Sequence, residues 1–315
     1  MTGRVQGMRT IVTDLTATTQ HKSIVGLKAV GAKVADYLQL IKLKLSALVL
    51  FTVALGYLLA LRNSLSLVIG HWSLTLLGSF LVIAAANAFN QVWEREVDGR
   101  MRRTMNRPLP AERMSVKEAF CAAILMALVG LTTLALTTNW LTTFLAGLAL
   151  GLYVLAYTPL KQRTEFCTLV GAVAGALPPV MGWTAVRGEI NGEAVALFAL
   201  QFLWQFPHFW AIAWLYRDDY QRAGFRMLPV CGAVETVTRQ VFSYSVATVL
   251  VSLYPLLMPL RMPEVYLTAA ASAGTWLLWA TLQFGDNPNR RMARRLLITA
   301  DAYLPLVLLA WLFAR

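Results

Sequence analysis

Residues 73–98 read SLTLLGSFLVIAAANAFNQVWEREVD. From Ser73 to Trp93 no side chain is ionisable, and the run matches the ~20 residues a helix needs to cross a ~30 Å hydrocarbon layer. Glu94, Arg95, Glu96 and Asp98 then arrive together. The stretch therefore reads as a helix that crosses a membrane and ends in carboxylates.

Working outward, apolar stretches of similar length recur near 40–61, 117–137, 140–158, 166–186, 194–215, 239–260, 264–284 and 296–314. With 73–93 they make nine spans. The expected fold is all-α: a polytopic membrane protein whose nine transmembrane helices form one bundle over 37–315. Residues 1–36 form a more polar tail with no apolar run long enough for a signal peptide, read as a cytoplasmic tail ending in a membrane-surface helix. Pro178-Pro179 lies inside the fifth span and removes two backbone donors, so a kink or break is expected there.

Composition agrees. Only 14% of the residues are charged and 57% are hydrophobic, with a mean hydropathy of +0.57. A soluble domain carries about 25% charged residues, so a soluble enzyme and a disordered chain are both excluded. Cys121, Cys167 and Cys231 are scattered, odd in number and without metal-ligand spacing, which predicts no disulfide framework. The net charge is +12. Twenty-four of the 28 lysines and arginines fall in the N-terminal region and the even-numbered connections. That asymmetry predicts a cytoplasmic N-terminus and accounts for the basic excess without nucleic acid.

Orientation does not require acidic residues, so their placement is informative. Asn90, Glu94 and Asp98 stand at i, i+4 and i+8. They drift only ~80° around a helix and span ~12 Å along it, so their oxygens share one face. Such a row suits Mg²⁺, a hard cation often completed by substrate phosphates. Arg103 and Arg107 follow, with guanidinium forks that match phosphate oxygens. Two readings share these residues: a metal–diphosphate site, or a helix end laced with ion pairs. Tyr157 and Lys161 close the fourth span, and Lys161 is read either as a point charge for phosphate or as a snorkelling residue. Tyr216-Arg217-Asp218-Asp219-Tyr220 follows the sixth span with a second acidic pair. Lys42 and Lys44 enter the first span and are read as snorkelling. Phe202, Trp204, Phe206, Phe209 and Trp210 in the sixth span fit ordinary packing better than a cation-facing wall. Within the same span His208 is read as a functional imidazole or as a hydrogen-bonded structural one, and Asp301 in the ninth span needs a partner.

The Asn90-x-x-x-Glu94-x-x-x-Asp98 motif at the end of the second of nine helices resembles that of the UbiA-type intramembrane prenyltransferases. Asp98-x-x-Met101-x-Arg103-Thr104-x-x-Arg107-Pro108 is similar to the haem-farnesylating branch of that family. So are Gly175-Ala-Leu-Pro-Pro-Val-Met-Gly-Trp183, Pro207-His208-Phe-Trp210 and Asp218-Asp219-Tyr-x-x-Ala-Gly-x-x-Met-Leu-Pro229. The resemblance runs from about residue 37 to the C-terminus. It implies a bundle enclosing a central cavity, with farnesyl diphosphate entering from lipid and cytoplasmic loops capping its Mg²⁺-bound head. It implies that Asn90, Glu94, Asp98 and Asp219 hold the metal, that Lys161 joins them in catalysis, and that Tyr157, Arg103, Arg107, Arg217, Asp218 and His208 bind substrate. Protohaem IX is the implied acceptor, as a substrate, in a cytoplasmic (inner) membrane if the cell is bacterial. A haem A synthase or an oxidase assembly is the implied recipient of the product. Glu94 stands where many relatives carry Asp, Ala223 replaces the second acid of an Asp-x-x-x-Asp motif, and Lys42-Leu43-Lys44 stands where Lys-Pro-Arg is frequent. A prenyltransferase acting on an aromatic quinone precursor such as hydroxybenzoate shares the diphosphate motifs. A transporter or haem carrier shares the nine spans.

Overall fold

The computed structural model describes residues 30–61 and 68–315, and all regular structure among them is helical. Helix α1 covers 30–40. Then come α2 (Leu43–Ala60), α3 (Val68–Asp98), α4 (Val116–Thr137) and α5 (Trp140–Gly151), the last continuing through a π-helical turn, Leu152–Tyr157, into α6 (Thr158–Leu160). They are followed by α7 (Cys167–Arg187), α8 (Gly192–Leu215), α9 (Arg217–Arg222), α10 (Leu228–Cys231), α11 (Val234–Val251), a 3₁₀ turn at Tyr254–Leu257, α12 (Pro263–Asp286) and α13 (Arg290–Ala314). Nine segments among the described residues are long and apolar enough to cross a membrane. Of the 1–36 tail, only 30–36 fall within the described residues, as part of α1. Its Val30, Val34 and Leu38 are exposed.

Local sequence sets the helix ends. Ser115 accepts from the Glu118 amide, Asn139 from Thr142, Asn191 from Ala194, and Asn289 from Arg291 and Met292. Each cap satisfies amides that the first turn leaves without partners. The second span is longer than its apolar core. At 31 residues, α3 is roughly 46 Å long, so Glu94 and Asp98 ride on the same rigid rod beyond the hydrocarbon. The expected break at Pro178-Pro179 is not seen, because α7 runs unbroken through both prolines. That helix is also the most enclosed of the nine, with 72% of its apolar window buried, and neighbours hold it where its own hydrogen bonds are missing.

Consecutive spans pack side by side, and α13 returns to α2 and closes the circuit. Cross-packing of α2 on α7 and of α8 on α13 ties it together. The α2–α7 crossing depends on glycine. A Cβ on Gly182 would lie 2.0 Å from the Val53 carbonyl oxygen, and one on Gly56 would lie 1.9 Å from that of Pro179. Close backbone approach of this kind is how helices associate where no hydrophobic drive exists between them. The crossing lies toward one end of the bundle. At the other end α1 meets the connection after α3 and the first turn of α4: Arg113 pairs with Asp36 at 2.8 Å, and Lys33 and Tyr37 both bond Glu118 at 2.8 Å. The Arg226 amide donates to the Lys161 carbonyl oxygen at 2.7 Å, joining the connections after α6 and α9. This is the basic face.

Candidate active site

The site grows from the last turns of α3. Asn90, Gln91, Glu94 and Asp98 are all buried there, Asn90 fully and Asp98 at 1% exposure. Lys42 stands at the break between α1 and α2 with φ 48° and ψ 56°, a left-handed backbone uncommon for a side chain of this size. That turn delivers its Nζ to Asn90 Oδ1 at 2.7 Å. Asn90 Nδ2 donates to Thr158 Oγ1 at 3.1 Å, and Thr158 in turn donates to the Tyr153 carbonyl oxygen. One turn on, Lys161 Nζ meets Glu94 Oε1 at 2.9 Å and lies 4.5 Å from the centre of the Tyr157 ring. A further turn on, Arg107 bonds Asp98 Oδ2 at 2.6 Å, and Thr104 Oγ1 pins the following loop to the Asp98 carbonyl oxygen at 2.8 Å.

The fourth span supplies Tyr157 at the end of a π-helical turn, a wide turn that often marks functional sites, and Lys161 just after the α6 turn that follows it. The Tyr157 ring lies flat on α7 because residue 171 is glycine. A Cβ there would stand 2.7 Å from two ring carbons. Asp219 is buried at the start of α9, bonded by Arg222 and by the Arg102 amide at 3.3 Å. Arg103 is exposed, lying 4.7 Å over the Tyr216 ring and within 3.4 Å of the Tyr220 hydroxyl. Arg217 stacks at 5.6 Å on Trp214, and Asp218 points outward. The structure therefore gathers Asn90, Glu94, Asp98, Tyr157, Lys161 and Arg107 around one helix end. It ties Asp219 and Arg103 to the loop that follows, and leaves Asp218 on the surface.

Each of the four oxygen-bearing side chains has a basic partner: Lys42 with Asn90, Lys161 with Glu94, Arg107 with Asp98, Arg222 with Asp219. Removal from water, with Arg107 and Lys161 nearby, draws the Lys42 ammonium down to about 7. Burial also pulls on Lys161, but Glu94 beside it wins and holds its pKa well above the usual lysine value. Burial would raise Asp219, yet Arg222 and the Arg102 amide bring it below the carboxylate range. Among the described residues no three carboxylate, imidazole or thiol groups converge closely enough to hold a metal ion unaided. The donor set nevertheless fits Mg²⁺ shared with a phosphate, because Asp98 Oδ1 is buried with no hydrogen-bond partner and such oxygens are costly unless something binds them.

Lys42 is the residue whose role the sequence reading missed. Its position in Lys42-Leu43-Lys44, where a basic first-helix contact is frequent, was the available signal. Lys44 is exposed, as snorkelling predicts. Phe206 stacks on Tyr244 at 4.0 Å and Trp210 meets the same ring edge-on at 5.3 Å, so both serve packing. Away from this cluster, His208 Nδ1 lies 2.8 Å from Asp301 Oδ1, which supplies the partner Asp301 requires.

Residues 49–308 match the model of the UbiA prenyltransferase family. The chain is 40% identical over 297 residues to a Koribacter versatilis protein named protoheme IX farnesyltransferase, covering 91% of this chain and 95% of that one. It is 42% identical over 276 residues to the protein of that name from an Anaeromyxobacter species, covering 87% and 92%. Among solved structures it resembles a digeranylgeranylglyceryl phosphate synthase (TM-score 0.74, 20% identity, covering 90% of this chain and 98% of that one). It also resembles a UbiA homolog from Archaeoglobus fulgidus bound to GPP and Mg²⁺ (TM-score 0.65, 18% identity, 87% and 98%). These last two likenesses concern the fold.

Proposed function

The chain belongs to the UbiA prenyltransferase family, and from that premise we propose that it transfers the farnesyl group of farnesyl diphosphate to a vinyl group of protohaem IX, with addition of water, to give haem O. It is a transferase and an integral, multi-pass membrane protein. The observation that carries the reading is the row Asn90, Glu94 and Asp98, each bonded to its own basic side chain, with one Asp98 oxygen left without a partner. The row offers oxygen to a cation and nitrogen to phosphate at the same place. Relatives named for this reaction align over most of the chain, which favours protohaem over an aromatic quinone precursor or a transported solute.

In this reading Asn90, Glu94, Asp98 and Asp219 would hold Mg²⁺, which when bound would neutralise charge on the diphosphate. Lys42, Lys161 and Arg107 turn from their present partners to the phosphate oxygens, and Arg103 extends that donor set at the loop. Tyr157 backs Lys161 and keeps it over the site. The C1–O bond of farnesyl diphosphate breaks with its electron pair leaving on diphosphate. The terminal vinyl carbon bonds to C1, water bonds to the inner vinyl carbon, and that water loses a proton. The apolar bundle withholds other water from the allylic cation. Residues 37–315 form the catalytic unit, the basic face and the N-terminus lie in the cytoplasm, and in a bacterium the membrane is the cytoplasmic one. Haem O would pass to a haem A synthase or an oxidase assembly.

The test uses purified protein in nanodiscs with Mg²⁺, farnesyl diphosphate and protohaem, and with hydroxybenzoate offered as a competing acceptor. Mass spectrometry should find haem carrying a hydroxyethylfarnesyl group only when all three are present. Unmodified haem alongside prenylated hydroxybenzoate would overturn the acceptor assignment.

A further inference from the structure

The His208–Asp301 pair lies outside the diphosphate cluster and has geometry of its own. His208 lies seven residues before the end of α8, and Asp301 six residues beyond Arg295 on α13. Both offsets place the pair ~10 Å inward from the basic face. Asp301 Oδ1 stands 2.8 Å from His208 Nδ1, and its side chain remains 53% exposed. It lies on the margin of the stripe that α13 leaves uncovered, with Ile298 and Leu306 also exposed. A carboxylate within a membrane span is expensive and marks a binding or transfer site by default. Serving only as glue between helices, it would be enclosed by them.

The contact also sets one edge of the imidazole toward Asp301. With Nδ1 facing the carboxylate at ion-pair distance, Nε2 lies on the far edge of the ring, and among the described residues it has no hydrogen-bond partner. Trp204 stacks on the His208 ring at 4.8 Å and 25° and donates its indole N–H to the Ala300 carbonyl oxygen at 2.6 Å. Residues 300 and 301 of α13 thus hold the ring through two separate contacts. A carboxylate behind an imidazole is the arrangement that orients a metal-binding histidine and raises its basicity. Arg294 precedes Asp301 by seven residues, so it projects from the same side of α13, two turns closer to the basic face. An unclaimed imidazole nitrogen within the apolar layer, with a guanidinium ~10 Å above it, fits a planar amphiphile bearing a metal at its centre and carboxylates at one edge.

We propose that His208 is the axial ligand of the acceptor haem iron at the α8–α13 seam, that Asp301 is its positioning residue, and that Arg294 receives a propionate. The inference rests on the haem-acceptor reading above and deepens it. At ~10 Å inward of the basic face the pair would seat a porphyrin within the apolar layer, where a prenyl chain also lies.

The experiment uses the full chain in nanodiscs, titrated with haemin and, separately, with iron-free protoporphyrin IX. Resonance Raman of the ferrous complex should show an iron–histidine stretch that disappears in His208→Gly and returns with added imidazole. Asp301→Asn should keep the band at lower frequency, move the haem potential positive, and weaken haemin binding ~10–100-fold. Iron-free porphyrin should bind these variants and the parent equally, whereas Arg294→Gln should weaken both porphyrins but not their dimethyl esters. An iron–histidine band that persists in His208→Gly, or an Asp301→Asn variant with unchanged frequency and potential, would overturn the proposal. So would an equal loss of iron-free porphyrin binding in His208→Gly. If the parent binds haemin through His208 yet never farnesylates it, the acceptor reading fails and the ligand assignment stands.

Discussion

The two acidic motifs occupy the same face of the bundle but are built differently. The first lies on the last turns of a 31-residue helix, and helical period alone turns Asn90, Glu94 and Asp98 to one side. The second lies on a six-residue helix too short to repeat a face, and only one of its two adjacent carboxylates is buried. Asp219 goes in toward Arg222 and the Arg102 amide while Asp218 goes out. A long rod can preset several buried polar side chains on one face, whereas a short helix between loops presets one.

The sharpest way to break the comparison is Asp98→Ala. It removes both the oxygen without a partner and the acceptor of Arg107, leaving a guanidinium without its charge partner at the proposed diphosphate site. Transfer measured in native-like membranes should fall ~10²–10³-fold, the loss seen when one preorganised charge-stabilising group is removed, while membrane insertion is unchanged. Full turnover would show that the row on α3 is an ion-paired helix end and nothing more.

Lys42→Met tests whether the first motif needs its cations as well as its oxygens. Lys42 lies in a left-handed turn and reaches Asn90 at 2.7 Å. Backbone strain that neighbours must hold in place tends to accompany function. Loss of one charge-assisted contact predicts a ~10-fold drop in kcat/KM for farnesyl diphosphate, about 1.4 kcal/mol, and little change in haem affinity.

How far each motif was legible follows from how each is built. The nine spans could be counted from apolar runs because a bilayer demands ~20 such residues in succession. The facing of Asn90, Glu94 and Asp98 was legible because 3.6-residue periodicity is a property of one segment. For Lys42 the sequence offered only the likeness of Lys42-Leu43-Lys44 to a basic first-helix motif, since its contact depends on a left-handed turn that brings α1 and α3 together, and no helical period encodes that pairing. The continuity of α7 through Pro178-Pro179 was likewise hidden, because enclosure by other spans, not local propensity, decides it. Of the acidic pair at 218–219, the sequence showed two carboxylates and could not rank them. Which of them faces in depends on where Arg102 and Arg222 come to rest.

Asp219→Asn probes the single buried carboxylate of the second motif. The amide retains an acceptor for the Arg102 N–H but loses the charge that holds Arg222, so transfer should fall less than in Asp98→Ala, roughly 10-fold or about 1.4 kcal/mol. Raising the Mg²⁺ concentration should recover part of the loss if Asp219 shares the ion, and none of it if the residue only anchors the loop.

Asp218→Asn is the smallest expected effect and the cleanest separation of the two neighbours. The side chain is exposed and makes no ion pair among the described residues, and surface substitutions of this kind fall within about ±0.5 kcal/mol. Turnover within twofold of the parent, alongside a clear loss in Asp219→Asn, would confirm that α9 presents one carboxylate to the site. A loss in Asp218→Asn as large as that of its neighbour would mean that α9 rotates when diphosphate binds, so that both acids reach it in turn. The second motif would then differ from the first in being assembled by its substrate.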